Sequence, residues 1–265
     1  MRWLTLMLIA LISVPLHAFD HSEWTELLQR HVTEHRDGVA TSVDYQGFKR
    51  DRSDLQDYLD KLSSVSAGDF DSWSTAERFA FLTNAYNAFT VELILREDIP
   101  SSIRRIGGFF GIGSPWSISF FSLLGEQRSL DEVEHEMIRG NPELMDPRVH
   151  FAVNCASVGC PALRTEAFTG EQLEEQLADS TERFLRDRER NLFNTNRQRL
   201  EVSKIFDWYE DDFAQASGSL GAYLSQYADA LDLDERTARR LANGDITIRF
   251  LSYDWSLNTA ANTSD

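Results

Sequence analysis

Long apolar runs are scarce in this sequence, and the one near its start is short. Residues 4–14 are apolar apart from two hydroxyl side chains, Arg2 precedes them, and Pro15 ends the run before Ala18. This pattern is typical of a secretory signal peptide and is too short to cross a bilayer. We therefore predict a signal peptide over residues 1–18 and a periplasmic or secreted protein, with an uncleaved anchor as the alternative. No cysteine follows the run to carry a lipid, and no other run approaches the ~18 residues that a membrane-spanning helix needs.

Lysine is also rare, and acidic residues outnumber basic ones. Lys49, Lys61 and Lys204 are the only lysines, whereas 43 residues are Asp or Glu, and the formal net charge is -17. Proteins that bind nucleic acids need a basic face to displace counterions from the phosphates. The charge balance argues against a nucleic-acid partner. The expected partner is a small-molecule substrate or another protein of the cell envelope.

Internal repeats, low-complexity linkers and Pro/Gly-rich boundaries are absent from the sequence. Residues 19–265 are long enough to bury a good core, and we predict that they form one globular domain. Predicted helices outnumber predicted strands, which favours a helix-rich α+β fold with a small, mostly antiparallel sheet. The predicted helices cover 22–36, 55–62, 75–96, a segment from about 130, 171–188 and 205–213, and the predicted strands lie within 39–48, 116–121, 149–153 and 246–253.

Two helix starts carry a specific signature. Ser74 and Ser129 are each followed three residues later by a glutamate, Glu77 and Glu132, which is the pattern of a capping box. After the first box, apolar residues recur at helical spacing as far as about Arg96. Both positions are therefore predicted helix N-termini.

The glycine-rich segment 107–113 contains aromatic residues between its glycines. It lacks both the Lys-Ser/Thr pair of a phosphate-binding loop and the spacing of a dinucleotide-binding turn. We interpret it as a flexible loop that leads to the strand at 116–121. We expect no cofactor.

Four segments carry a family resemblance: FLTNAYNA (81–88), LDEVEH (130–135), DPRVHFAVNCASVGCP (146–161) and SKIFDWY (203–209). Together they resemble the family called domain of unknown function 547 (DUF547), over about residues 39–253. The resemblance implies one domain and points to these four segments. It implies no particular reaction, because the activity of the family is not established.

Cys155 and Cys160 are the only cysteines, and three interpretations of them are open. In an exported protein two cysteines usually pair, and closing so short a loop stabilises a fold by about 2 kcal/mol. Alternatively, Cys155 is a reactive thiol. A metal site that also uses His135 and His150 is the third interpretation, although the spacing is not one that zinc sites commonly show.

A nucleophilic cysteine needs a base or a positive charge nearby, and His150 and His135 are the candidates. Alternation along the predicted strand places His150 and Cys155 on opposite faces, so the strand must end or turn near Asn154 for them to meet. His135 follows Glu134 on a helix. Because adjacent helical residues do not face each other, we do not expect Glu134 to orient His135 directly. Each histidine has a structural role as its alternative.

Asn84 and Asn87 lie three residues apart on an otherwise apolar helix and therefore share a face. Buried amides without partners cost about 1–3 kcal/mol each, so we expect both to be hydrogen-bonded and close to His150 or Cys155. They either fix a neighbouring loop or bind a substrate. With Asn154 and Arg148 they are the candidate binding residues.

The helix that contains Asn84 also resembles the long helix of papain-like and transglutaminase-like enzymes. Those folds place the catalytic Cys at the start of that helix and the catalytic His on a later strand. Here Asn84 or Asn87 stands where the Cys is expected, while His150 follows on the predicted strand. The departure means that Cys155 acts from a new position or that the domain only binds a partner.

The leading hypothesis is an exported thiol-dependent hydrolase or acyl transferase acting on an amide or a thioester. Cys155 is its nucleophile and His150, or else His135, is its base. The alternative is a non-catalytic binding or scaffold domain of the cell envelope with a structural Cys155–Cys160 disulfide. A thiol-redox role ranks third, because the spacing is not Cys-x-x-Cys.

Overall fold

The computed structural model of the protein describes residues 19–107 and 113–263. The predicted signal peptide and the centre of the glycine-rich segment lie outside the described residues. The described chain is helix-rich with small sheets, so the α+β prediction is confirmed. The α-helices are α1 (Ser22–His31), α2 (Tyr45–Arg50), α3 (Arg52–Ser64), α4 (Ala67–Asp71), α5 (Thr75–Arg96), α6 (Leu173–Arg186), α7 (Ile205–Trp208), α8 (Glu210–Ser217), α9 (Leu220–Ser225) and α10 (Glu235–Ala242). The strands are β1 (Val32–His35), β2 (Ala40–Val43), β3 (Phe121–Leu123), β4 (Glu126–Arg128), β5 (Leu192–Asn194), β6 (Arg199–Val202) and β7 (Thr247–Phe250).

The long helix α5 is the buried centre of the fold. Its predicted capping box is present: the backbone N–H of Glu77 donates to Ser74 Oγ at 3.2 Å, and the Glu77 carboxylate accepts from Ser74 N–H at 2.8 Å. The predicted end at Arg96 is also confirmed. Every residue from 79 to 95 is buried. A helix covered on all sides belongs to the core, so its polar side chains need internal partners.

The second capping box also opens a helix. The backbone N–H of Ser129 donates to Glu132 at 2.7 Å, and that of Glu132 donates to Ser129 Oγ at 3.3 Å. The helix that follows has π geometry over Glu132–Ile138. π-Helical turns are rare and frequently occur at functional sites.

The first predicted helix, 22–36, is too long. Helix α1 ends at His31, and Val32 begins β1, which pairs antiparallel with β2 in the register Val32 opposite Val43. β-Branched residues at 32 and 33 suit a strand, which explains the early end. Four apolar residues of this segment are nevertheless buried: Trp24, Leu27, Leu28 and Val32.

The described strands form three small sheets rather than one. β1 pairs with β2, β3 pairs with β4, and β5, β6 and β7 form a three-stranded sheet. All pairs are antiparallel except β6 and β7, which run parallel. The strand predicted within 246–253 is β7, whereas the one predicted at 116–121 begins only at Phe121, after a short 3-10 turn over Pro115–Ser117.

The strand predicted at 149–153 is wrong: Pro147–Phe151 is a 3-10 helix. Asp146 caps it, since its side chain accepts from the backbone N–H of Arg148 at 2.8 Å. Pro147 fits the first turn because a residue there needs no backbone donor. Consequently, the alternation argument that placed His150 and Cys155 on opposite strand faces does not apply.

Two hydrophobic clusters make up the core. The first surrounds α5 and contains Val149, and the second gathers α6 to α10 and contains Phe151. His150 therefore lies between a residue of each cluster, at their boundary. In the described part of the chain, no helix combines the length and the apolar character needed to cross a membrane.

Candidate functional site

A cavity of about 300 Å³, here called the central cavity, lies where the two clusters meet. Among the residues that line the cavity, Tyr86 and Val153 belong to the first hydrophobic cluster and Ile205 belongs to the second. The other described residues that line it are Trp116, Asp131, Glu134, His135, His150, Cys155, Pro161, Trp208, Tyr209, Tyr253 and Trp255. The three residues predicted as catalytic thus line one cavity.

His150 is 2% exposed and is hydrogen-bonded on one side of its ring only. Its Nε2 donates to Asp212 Oδ2 at 2.7 Å, and the ring stacks on Tyr209 with centroids 3.7 Å apart. Its Nδ1 has no hydrogen-bond partner among the described residues and lies 3.8 Å from Glu134 Oε1. A buried nitrogen without a partner is unusual and calls for an explanation.

Arg139 fixes the carboxylate that holds His150. Its Nε and Nη2 donate to the two oxygens of Asp212 at 2.6 and 3.0 Å. Burial works to raise the pKa of Asp212, but the hydrogen bonds from His150 and Arg139 outweigh burial and hold that pKa below its usual range. Burial lowers the pKa of His150. At neutral pH Asp212 is therefore ionised and His150 neutral, with its proton on Nε2 and its lone pair on Nδ1, as a general base requires.

Glu134 is a buried carboxylate on the opposite side of the His150 ring. It accepts a hydrogen bond from the Tyr209 hydroxyl at 2.8 Å. Burial, followed by the charge of Glu134, raises the pKa of Tyr209, so its phenol stays protonated at neutral pH. Burial also raises the pKa of Asp131, one helical turn away. The cavity thus combines a neutral imidazole, a phenol and two carboxyl groups.

His135 is less suited to act as a base than His150. Its Nδ1 accepts a hydrogen bond from Arg139 Nη1 at 2.9 Å, because an arginine can only donate. Its remaining nitrogen, Nε2, lies 3.8 Å from Asp131 Oδ1. Glu134 Oε1 is 4.0 Å from Nδ1, beyond hydrogen-bonding distance. The lone pair of His135 is therefore occupied, whereas that of His150 is not.

Cys155 and Cys160 form a disulfide, with their Cα atoms 6.1 Å apart. Cys155 is half-buried and lines the central cavity, whereas Cys160 is 3% exposed. The hydroxyl of Tyr253 lies 3.1 Å from Cys155 Sγ and 3.2 Å from Cys160 Sγ. Within the described ranges, no group of three or more His, Cys, Asp or Glu side chains is arranged to hold a metal ion. The metal alternative therefore has no geometric support.

A comparison of the sequence with models of protein families finds a match. The model described as "Protein of unknown function, DUF547" matches residues 70–185. The chain carries a DUF547 region. It includes α5, the 3-10 helix with His150 and both cysteines, and it ends at α6. Tyr209 and Asp212 lie beyond the matched residues.

Searches among curated proteins and among solved structures find no significant match. The papain-like resemblance therefore stays a prediction. The DUF547 match supports the predicted family over a shorter range than 39–253.

The two asparagines of α5 lie within the DUF547 region, and both are buried and hydrogen-bonded to backbone, as predicted. Asn84 donates to Phe168 O at 2.7 Å and accepts from Phe168 N–H at 3.0 Å. Asn87 donates to Ala152 O at 3.0 Å and accepts from Asn154 N–H at 2.8 Å. Asn87 thus fixes the backbone directly before Cys155, whereas Asn84 fixes a different segment. Neither side chain lines the central cavity, and a substrate-binding role for them stays a prediction.

The remaining candidate binding residues also make internal contacts. Asn154 is buried; its Nδ2 donates to Pro161 O at 2.7 Å, and its Oδ1 accepts from Ala156 N–H at 2.9 Å. Asn154 therefore spans the loop that the disulfide closes. Arg148 pairs with Asp146 at 2.6 Å and with Glu174. Neither Asn154 nor Arg148 is among the described lining residues of the central cavity.

Two residues of the candidate site were not singled out from the sequence: Asp212, which holds His150, and Tyr209, whose ring stacks on His150. Asp212 stands in the acidic run Glu210-Asp211-Asp212, where no local pattern distinguishes it. It lies 62 residues from His150 in the sequence. Tyr209 lies within the SKIFDWY segment, and its place in that segment was the one signal in the sequence. Folding brings its hydroxyl to the buried Glu134 carboxylate.

Proposed function

We propose that the central cavity is the active site of a thiol-dependent hydrolase or acyl transferase acting on an amide or a thioester. Cys155 is the nucleophile, His150 is the base, and Asp212 is a positioning residue that orients His150. One observation carries the proposal: the buried Nδ1 of His150 has no hydrogen-bond partner within the described ranges, and His150 and Cys155 line the same cavity. A nucleophile, a base and a carboxylate that orients the base form the usual arrangement of such enzymes.

The disulfide makes the oxidised protein the latent form of this enzyme. A dithiol reductant supplies the two electrons needed to open it. One thiolate of the reductant attacks a sulfur of the disulfide and forms a mixed disulfide. The second thiol of the reductant then displaces the protein thiol, which leaves Cys155 and Cys160 reduced and the reductant oxidised.

In the reduced protein, the neutral His150 takes the thiol proton of Cys155 at Nδ1. The imidazolium that forms is stabilised by Asp212 at 2.7 Å and by the nearby Glu134. The Cys155 thiolate attacks the substrate carbonyl carbon, and the leaving amine or thiol departs with the proton from His150. Water or an acceptor nucleophile then attacks the acyl-enzyme and restores Cys155. Tyr253, whose hydroxyl lies beside Cys155, is a donor for the oxyanion.

The test compares the two cysteines in reduced protein at pH 6 with iodoacetamide and mass spectrometry. A thiolate that is populated at this pH makes Cys155 react at least about tenfold faster than Cys160. His150→Ala removes the advantage. His135→Ala is the matched control and leaves it unchanged. Equal rates for the two cysteines in the wild-type protein contradict the proposal.

A binding domain with a structural disulfide is the second candidate, and the closed Cys155–Cys160 pair favours it. In that case Cys155→Ser and Cys160→Ser each lower the free energy of unfolding by about 2 kcal/mol. Neither thiol then reacts selectively after reduction. A thiol enzyme gives a different pattern: selective alkylation of Cys155, and turnover of thioesters by the reduced protein only.

We also propose that residues 1–18 direct export of the protein and are then removed. A disulfide persists in an oxidising compartment such as the periplasm, which supports this location. The reductant that activates the enzyme must then be an exported dithiol protein, because the cytosolic thiol pool does not reach that compartment.

A further inference from the structure

Four aromatic side chains form one wall of the central cavity: Trp116, Trp208, Tyr253 and Trp255. Tyr253 touches both Trp208 and Trp255, with ring centroids 4.8 and 4.4 Å apart, and Trp116 lies 5.7 Å from Trp255. Trp208 is 43% exposed and is the one large hydrophobic side chain of the described residues that is exposed, whereas the other three rings are half-buried. Aromatic side chains that line a cavity commonly serve to bind a ligand.

The charges that line the same cavity have one sign. Asp131 and Glu134 are carboxyl groups, and none of the lining residues within 19–107 and 113–263 is a lysine or an arginine. Two arginines pack against rings of this lining: Arg139, which is paired with Asp212, lies over the Tyr209 ring at 4.9 Å, and the exposed Arg104 lies over the Trp255 ring at 5.2 Å. Both contacts have the geometry in which the negative face of an aromatic ring interacts favourably with a cation.

A second observation indicates that the cavity receives a polar ligand. The Nδ1 atom of His150 is buried and has no hydrogen-bond partner among the residues that the structure describes, and His150 lines the cavity. Burial also raises the pKa of Asp131, as expected for a carboxyl group with no strong cation beside it. An acidic floor, an aromatic wall and an unpartnered acceptor together favour a ligand that is both cationic and a hydrogen-bond donor.

We propose that the central cavity recognises an alkylammonium group, carried by a lysine side chain or by a free alkylamine. The inference rests on the proposed function because it concerns the same cavity, and it adds the class of substrate that this cavity binds. The ammonium lies against the aromatic wall and donates to Glu134 and Asp131. A cavity of about 300 Å³ has room for such a chain. The amide or thioester that Cys155 attacks then belongs to the same amine-bearing molecule.

The test is calorimetric titration of the oxidised wild-type protein with three probes. Nα-acetyl-lysine methylamide carries the cation, Nα-acetyl-norleucine methylamide has a similar chain without charge, and butylamine is the free amine. We expect the lysine probe to bind about tenfold more tightly than the norleucine probe. Added salt weakens the lysine probe alone, since its attraction to the carboxylates is screened.

Substitutions at two lining residues, Trp208 and Glu134, locate the binding. Trp208→Ala weakens the lysine probe about fivefold, and Trp208→Phe restores part of the loss because a ring remains. Glu134→Gln also weakens it, whereas Glu136→Gln, an exposed glutamate on the same helix, is the matched control and changes nothing. Tighter binding of the lysine probe than of butylamine assigns the cation to a peptide, and the reverse assigns it to a free amine.

Equal affinity for the lysine and norleucine probes, or binding of neither, overturns the inference. Titrations need no turnover, so their result is independent of the proposed reaction. Selective binding of the lysine probe without selective alkylation of Cys155 keeps the ligand class and rejects the thiol mechanism. Selective alkylation of Cys155 without binding of the lysine probe keeps the thiol mechanism and rejects the ligand class.

Discussion

Asn87 and Asn84 provide a matched pair of substitutions that separates stability from site geometry. Both are buried amides on α5, and each exchanges two hydrogen bonds with backbone. Asn87→Ala leaves Ala152 O and Asn154 N–H without partners, and Asn84→Ala does the same to both groups of Phe168. Only Asn87 holds the backbone that leads into Cys155.

The magnitude follows from counting the groups left unpaired. A buried donor or acceptor without a partner costs about 1–3 kcal/mol. Two such groups therefore lower the free energy of unfolding by about 3 kcal/mol, and the same loss is expected for Asn84→Ala and Asn87→Ala. The free energy of unfolding of an ordinary domain is about 5–15 kcal/mol. A loss of about 3 kcal/mol is smaller than this, so we expect both variants to fold at 25 °C.

The assay has two parts. Urea unfolding followed by circular dichroism gives the loss of stability for each variant. Alkylation of the reduced protein at pH 6 gives the reactivity of Cys155, which falls in Asn87→Ala and stays at the wild-type value in Asn84→Ala. A loss below about 1 kcal/mol for Asn87→Ala would refute the hydrogen-bond account. Equal slowing in both variants would refute the claim that Asn87 alone positions the site.

Two further outcomes are expected. Burial lowers the pKa of His21 to about 3 in the folded protein. Below pH 6.5 the unfolded chain therefore takes up a proton at His21 that the folded chain does not. As a result, the free energy of unfolding falls by about 1.4 kcal/mol per pH unit from pH 6.5 toward pH 3. Urea unfolding at pH 7 and pH 5 therefore differs by about 2 kcal/mol more in the wild type than in His21→Gln, and an equal difference in both proteins would exclude His21 as the cause. Export predicts a mature N-terminus at Phe19; N-terminal sequencing of the purified protein that finds Met1 would contradict it.

Local signals made the helices predictable where the relevant contacts are close in sequence. The capping boxes at Ser74 and Ser129 use residues three positions apart, so both helix starts could be read directly. The segment 149–153 could not be read in this way. A run of five residues that is apolar except for His150 suits a strand or a helical turn equally, and here Val149 and Phe151 belong to different hydrophobic clusters. Tertiary packing therefore decided the conformation.

The candidate site was predictable only in part, for the same reason. Cysteine and histidine are rare enough that Cys155, His150 and His135 stood out, and all three line the central cavity. Their partners are common residue types at large sequence distances. Asp212 is 62 residues from His150, and Tyr209 is 75 residues from Glu134. No single-sequence pattern identifies one aspartate among many when its partner is brought near only by folding.

The surroundings of the two sulfurs indicate how the disulfide opens. Cys155 is half-buried on the central cavity, so an incoming thiolate reaches it more readily than the buried Cys160. Attack on Cys155 expels Cys160 as a thiolate. That sulfur already accepts from the backbone N–H of Cys155 at 3.0 Å and from the Tyr253 hydroxyl at 3.2 Å. Hydrogen bonds stabilise a thiolate and make it a better leaving group, so in the proposed mechanism the contacts that brace the closed disulfide also favour release of Cys160 and, after resolution, a free thiol at Cys155.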